Sequence, residues 1–386
     1  MRILPAAMAT LLVATAVQAQ APVADLLKDV RTVAAPGSPG VVLSLKEAVS
    51  PVVLGGLDKG TVGPVVVAGT WGRGRVVAFG HSGYIDKDNF AVGETAVLMG
   101  RLASWAATGA VAPPNGAPLH AVVVDGDLGP WLSSSGFTVA KGDAAALLTR
   151  DNLEKAHTTL VVVGGRDLTP EQTAAIAEYV KAGGGLIAAQ TGWGWQQIKG
   201  GPDMRTNSLN RLLLEAGVAW TDEIIDETAK GGDGFDATKT SEGPLTLDTA
   251  VAVLLASEED APLREKMAEG ARRERLNQAS AIVSRGIRVL PANDKTTRPR
   301  LAALMSAHEK DLVPTEKTPL DGKRPLLRTL MALQMDAINS LPPEKVTAHP
   351  AAAAFPGAVA PGAPRVTRTV SIDRCTPRWH SLGLYA

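Results

Sequence analysis

Six histidines, His81, His120, His157, His308, His349 and His380, are the chain's imidazoles, and no two lie within four residues of each other. A zinc-peptidase helix needs two His one turn apart, with a Glu beside the first to act on the metal-bound water. The nearest fragment, His308-Glu309-Lys310-Asp311-Leu312, lacks the second His and reads as a solvated helical face. The single cysteine, Cys375, permits neither an internal disulfide nor a thiolate zinc cluster, and it stands far along the chain from the strands that would present a nucleophile. Gly126, Ser133 and the glycines at Gly183 form neither a Gly-x-Ser-x-Gly elbow nor a phosphate loop. No residue is therefore assigned a catalytic or metal-binding role, and no cofactor is expected in this chain.

Binding chemistry remains, and it sits where strands end. In open parallel sheets ligands lie beyond the carboxyl ends of the strands, and one exit reads GGGLIAAQTGWGW from Gly183 to Trp195. Gln190 and Thr191 hold the turn, and Trp193 and Trp195 stand on a glycine-flanked loop. At a second exit Asp125-Gly126-Asp127 precedes Trp131. Indoles can stack on sugar rings while neighbouring carboxylates and amides bond hydroxyls; the plainer alternative is that these tryptophans cap the core or a seam. Asp125 and Asp127 are weighed as a metal pair against an ordinary acidic turn. His81 and Tyr84 follow a third strand in GRGRVVAFGHSGYI, Gly72 to Ile85, where a lone His is more often structural. The candidate ligand-binding set is thus His81, Asp125, Asp127, Trp131, Gln190, Thr191, Trp193 and Trp195.

The elements that must position them follow from periodicity. Short apolar runs at Val41 to Leu45, Pro51 to Leu54, Val65 to Gly69 and Arg75 to Phe79 predict strands, and Val92 to Ala107 predicts a helix, giving a β-rich segment over 40–112. After a turn-rich joint, residues 117–222 alternate. Strands are expected at Ala121 to Val124, Phe137 to Ala140, Thr159 to Val163 and Leu186 to Ala189, with helices at Ala144 to Lys155 and from Pro170 to Lys181. Thr169 is the expected N-cap of that last helix, with Pro170 at its first position. Alternation of this kind argues for a doubly wound parallel sheet. A helix is expected over Leu209 to Ala216, loop over Asp222 to Gly243, and a helical module over 245–341. An Ala/Pro linker at 342–364 and a strand pattern at Arg365 to Ile372 lead to the end at Ala386, so 365–386 reads as the truncated start of a further domain.

Composition bounds the rest. The 386 residues carry 39 Lys+Arg against 39 Asp+Glu, which argues against a nucleic-acid partner held by bulk charge, and 45% hydrophobic content excludes wholesale disorder. Met1-Arg2, the apolar run Ile3 to Val17 and the small-residue exit from Ala16 to Ala21 describe a signal peptide over 1–21. Cleavage after Ala19 or after Ala21 fits equally well. No later stretch approaches the roughly 20 apolar residues of a membrane span, so a soluble periplasmic or secreted protein is expected.

Four strings together resemble the region preceding the catalytic domain in the M-sixty family of enhancin-like, mucin-degrading zinc metallopeptidases and the related eukaryotic channel-associated factors. They are Gly72 to Tyr84, Leu168 to Trp195, NSLNRLLLEAGVAWT at Asn207 to Thr221, and RWHSLGLYA at Arg378 to Ala386. The resemblance implies a glutamine-amidotransferase-like (flavodoxin-like) α/β sheet in which the elbow that would carry a nucleophilic Cys holds Gln190, Thr191 and Gly192. It also implies mucin-type glycans or glycoproteins as partners, and zinc only in a peptidase domain that would follow Ala386. A small-molecule hydrolase using Asp125, Asp127, His81 or Gln190, and a gene remnant without a role of its own, are the competing expectations.

Overall fold

The computed structural model describes residues 20–113, 115–116, 118–201, 203–259, 269–291 and 293–300. Residues 1–19 of the expected leader, the last part of the helical module, the 342–364 linker, the Arg365 to Ile372 strand pattern and Cys375 lie outside the described residues.

In chain order the elements are α1 (Val23–Leu26), β1 (Thr32–Val33), β2 (Gly40–Ser44), β3 (Val49–Gly56), β4 (Val62–Trp71), β5 (Gly74–Phe79) and α2 (Thr95–Thr108). Then come β6 (Leu119–Val123), α3 (Leu128–Ser134), β7 (Phe137–Lys141), α4 (Ala144–Leu147), α5 (Arg150–Lys155), β8 (Leu160–Val163), α6 (Pro170–Lys181) and β9 (Gly185–Ala189). The chain continues through α7 (Gly192–Ile198), α8 (Ser208–Leu213), β10 (Val218–Ile224), β11 (Phe235–Asp236), α9 (Leu247–Glu259) and α10 (Glu269–Val289).

A seven-stranded sheet in the order β3-β4-β5-β9-β8-β6-β7 forms the centre. The five strands from β5 to β7 are parallel, and β3 and β4 extend the β5 side as an antiparallel meander. Strands from both 40–112 and 117–222 therefore hydrogen-bond in one sheet across the expected joint. Strands β8 and β9 are buried on both faces, as continuous Leu, Val, Ile and Ala runs require between two helical layers. Right-handed crossovers put α2 and α3 on one face and α5 and α6 on the other. Side chains agree: a Cβ on Gly100 of α2 would lie 3.6 Å from the Trp131 ring of α3, and Arg150 of α5 pairs with Glu178 of α6 at 3.0 Å.

Capping chemistry sets the helix boundaries. Thr169 and Gln172 form a reciprocal capping box at the start of α6, with Pro170 at the first turn, as the sequence predicts. The single helix expected over Ala144 to Lys155 is instead two, because the Thr149 side chain accepts from Asn152 N and restarts the helix as α5. The glycine-flanked loop expected to carry Trp193 and Trp195 is the helix α7.

Residues past Gly217 add a strand that the loop reading of 222–243 truncates. Strand β10 pairs antiparallel with β2, and β11 pairs with β1. Helix α10 is tied to this ribbon by Arg285 to Glu223 at 2.6 Å, by Arg288 to Asp222 at 2.8 Å and by Arg288 to Glu223. The Gln278 amide donates to Val62 O at 2.7 Å and accepts from Val62 N at 2.9 Å, so a side chain completes the start of β4.

Candidate functional site

Strands β5, β6, β8 and β9 are parallel, so their exits share one edge: Gly80-His81, Val124-Asp125, Gly164-Gly165 and Gln190-Thr191. Packing at this edge is close. Gly40 N donates to Gly80 O at 2.8 Å, and a Cβ on Gly80 would lie 2.0 Å from Gly40 O, so only glycine lets β2 cross here.

Gln190 is 1% exposed, with its backbone N–H donating to Phe79 O at 3.2 Å. Its Oε1 accepts from Asn207 Nδ2 at 3.0 Å, whereas its Nε2 has no hydrogen-bond partner. Asn207 is fully buried and caps α8 by accepting from Asn210 N at 3.0 Å. The Asn210 amide in turn bonds both the N–H and the C=O of Trp220, at 2.7 and 3.0 Å, and Met204 O at 2.9 Å. The Trp220 indole closes the circuit by donating to Phe79 O at 2.8 Å. The turn after β9 is thus joined by buried amides to α8 and β10. Asn207, Asn210 and Trp220 are the members that sequence reasoning did not single out; the available signal was the pair of Asn three apart in NSLN, with the first positioned as an N-cap.

His81 lies two residues past the end of β5 and accepts from Gly83 N through Nδ1 at 2.9 Å, capping the short turn over Ser82–Ile85. Burial lowers its pKa, with Asp86 pulling the other way. Tyr84 beside it is fully buried, donates to Ala34 O at 2.6 Å and stacks on Phe79 at 4.9 Å. Burial and Glu227 raise its pKa, which keeps it a neutral structural donor.

The two aspartates face different neighbours. Asp125 accepts from Gly164 N at 2.8 Å and Arg166 Nε at 2.5 Å, clamping the β6 and β8 exits together. Asp127 accepts from Lys87 N at 2.8 Å and pairs with Lys87 Nζ at 3.0 Å. Burial, then the charge on Asp127, raises the pKa of Asp86. Among the described residues no group of three His, Cys, Asp or Glu could hold a metal ion. His81 is thus bonded to Gly83, Asp125 to Gly164 and Arg166, Asp127 to Lys87, and the Gln190 oxygen to Asn207.

The indoles are anchored as well. Trp195 is 9% exposed and donates to Asp167 Oδ1 at 2.9 Å. Lys199 and then Trp195, by hydrogen bonding, lower the Asp167 pKa. Trp193 is half-buried and donates to Ser38 O at 2.8 Å, pinning α7 to the loop before β2. Trp131 is half-buried on α3, edge-on to Phe90 at 4.9 Å, and Thr191 is half-buried at the start of α7. Two surface cavities of about 480 and 370 Å³ lie away from these groups, the first between α4–α5 and α6, the second beside Tyr179 and Gly184 at the amino edge.

No protein-family model matches the chain, and no curated protein matches it. Solved structures that resemble it include the IMPa metallopeptidase from Pseudomonas aeruginosa, at 16% identity and a TM-score of 0.46, covering 81% of this chain and 36% of that one. IMPa in complex with an O-glycopeptide gives 15% identity, a TM-score of 0.45 and coverage of 81% and 37%. IMPa in complex with T-antigen gives 16%, 0.41 and coverage of 74% and 36%. The chain spans little more than a third of the length of those proteins.

Proposed function

We propose that the chain is an exported, non-catalytic scaffold region of an M-sixty-like metallopeptidase, acting as an accessory to chemistry on glycoproteins. One observation carries the reading: the turn after β9, where a glutamine-amidotransferase-like sheet would present a nucleophile, holds a buried glutamine bonded to Asn207. The strand order supports the amidotransferase-like part, because β7-β6-β8-β9 is the flavodoxin-like order 2-1-3-4. The four sequence strings support the family, and the leader pattern supports a periplasmic or secreted location. In this reading residues 1–21 direct export, 342–364 are a linker and 365–386 open a peptidase region that would supply the zinc ligands.

Mucin-type glycans are then partners of the whole protein, and the tryptophans of this sheet serve packing. The engaged indole N–H groups of Trp193 and Trp195 favour that role over a stacking platform. Glycan-array binding of the purified chain tests it, with Trp193→Ala as the variant because Trp193 is only half-buried. Retention that is equal in parent and variant is expected. Retention that disappears with the indole would replace the scaffold by a glycan-binding module.

A further inference from the structure

His81 stands between two segments that meet at the carboxyl edge of the sheet. On one side its Nδ1 accepts from Gly83 N at 2.9 Å and fastens the turn over Ser82–Ile85. On the other, a Cβ on Gly37 would lie 2.9 Å from its Nε2 and 3.3 Å from its Cε1, so the imidazole supports the loop before β2. Residues 35–38 of that loop hang between two attachments: Tyr84 Oη donates to Ala34 O at 2.6 Å, and Pro39 O accepts from Ile225 N at 2.9 Å. Ser38 O, within this span, accepts from the Trp193 indole at 2.8 Å. Pro36 closes over Gly83, where a Cβ would lie 2.7 Å from the Pro36 Cβ. We propose that His81 is an acid-sensitive latch: a proton taken up at Nδ1 breaks the bond to Gly83, and the turn, the 35–38 loop and the Trp193 indole loosen together.

The direction follows from which nitrogen is used. An imidazole nitrogen that accepts a hydrogen bond carries a lone pair, so His81 is neutral with its proton on Nε2, and protonation makes Nδ1 a second donor aimed at the Gly83 N–H. Two donors cannot share that contact.

The charged surroundings leave this balance to burial and one carboxyl group. Burial favours the neutral ring, and Asp86 at the end of the same turn opposes it. Burial and the charge on Asp127 raise the pKa of Asp86 in turn, with Asp88 adding to the rise. Lys87 is paired with Asp127 at 3.0 Å, and Tyr84 is buried and neutral. Asn89 of the next turn is uncharged and donates to Gly83 O at 2.7 Å. Neither the 35–38 loop nor the β9 exit at Gln190-Thr191 carries a charged side chain. A base whose folded pKa lies below its unfolded value of about 6.5 stabilises the fold above that value, and the contribution is lost as pH falls through the folded pKa. The latch is therefore closed at neutral pH and opens in mild acid.

The test is proton–nitrogen NMR of the purified full chain between about pH 8 and pH 5. It follows the His81 ring, the Gly83 amide and the Trp193 indole N–H, with His81→Asn and Trp193→Phe supplying the assignments. The Gly83 and Trp193 signals are expected to shift upfield with one midpoint, shared with the His81 ring and below about 6.5. In His81→Asn the side-chain oxygen accepts from the same N–H, as in an Asx turn, and does not titrate, so both signals are expected to keep their neutral-pH positions. Should that variant fail to fold, the shared midpoint in the parent decides. A His81 ring that titrates while the Gly83 amide stays fixed would overturn the latch. So would a Trp193 indole that stays fixed in the parent, or one that titrates equally in His81→Asn.

Discussion

Replacing Asn207 by Leu separates a structural turn from a poised active site. Asn207 makes two buried bonds, one to Gln190 Oε1 and one as the cap of α8. Loss of the cap costs about 1 kcal/mol. Leaving the Gln190 carbonyl buried and unpaired adds about 1–3 kcal/mol. Asn207→Leu should therefore destabilise the chain by about 2–4 kcal/mol, read as a lower urea midpoint at constant slope. Gln190→Met in the same chain removes the stranded carbonyl, so the double variant should recover all but about 1–2 kcal/mol of the loss, because exchanging both partners for apolar groups is nearly neutral. A cost under about 1 kcal/mol for Asn207→Leu, or strictly additive costs in the double variant, would refute the claim that this pair holds the turn.

Three further outcomes follow from named contacts. Glu223 sits between Arg285 and Arg288; burial works to raise its pKa, but the two guanidinium charges and their hydrogen bonds override that and hold it at about 2. Against about 4.3 in the unfolded chain, its stabilisation is complete above that value and is lost as pH falls toward 2, so Glu223→Gln should cost about 3 kcal/mol at pH 7, with the gap to the parent closing across that window in acid-titrated thermal melts. Gly80→Ala forces a Cβ to within 2.0 Å of Gly40 O and should cost about 3 kcal/mol or leave no folded protein, as circular dichroism would report. Trp193→Phe keeps the ring but loses the 2.8 Å bond to Ser38 O, and a drop of about 1 kcal/mol in chemical denaturation is expected.

The sheet was legible because its strands are continuous apolar runs bounded by glycine, as at Leu160–Val163 and Gly185–Ala189. The capping box at Thr169 was legible because capping is local in sequence. Long-range pairing was not: nothing near Val218 says that β10 will pair with β2 more than 170 residues upstream, and that pairing turns part of an expected loop into strand. Gln190 was located by its position after a strand, but its role depends on Asn207, 17 residues on, and on Trp220, whose indole reaches Phe79 across 141 residues. Trp193 and Trp195 were identified as residues to watch. Their hydrogen bonds to Ser38 and Asp167 span 155 and 28 residues, which no local pattern announces.

The most direct test of the non-catalytic reading is an O-glycoprotein cleavage assay on the purified full chain, with and without added zinc, analysed by mass spectrometry of the products. No cleavage under either condition is the predicted result. Zinc-dependent fragments that are lost when the chain is unfolded in urea would contradict it and place a catalytic centre in this chain.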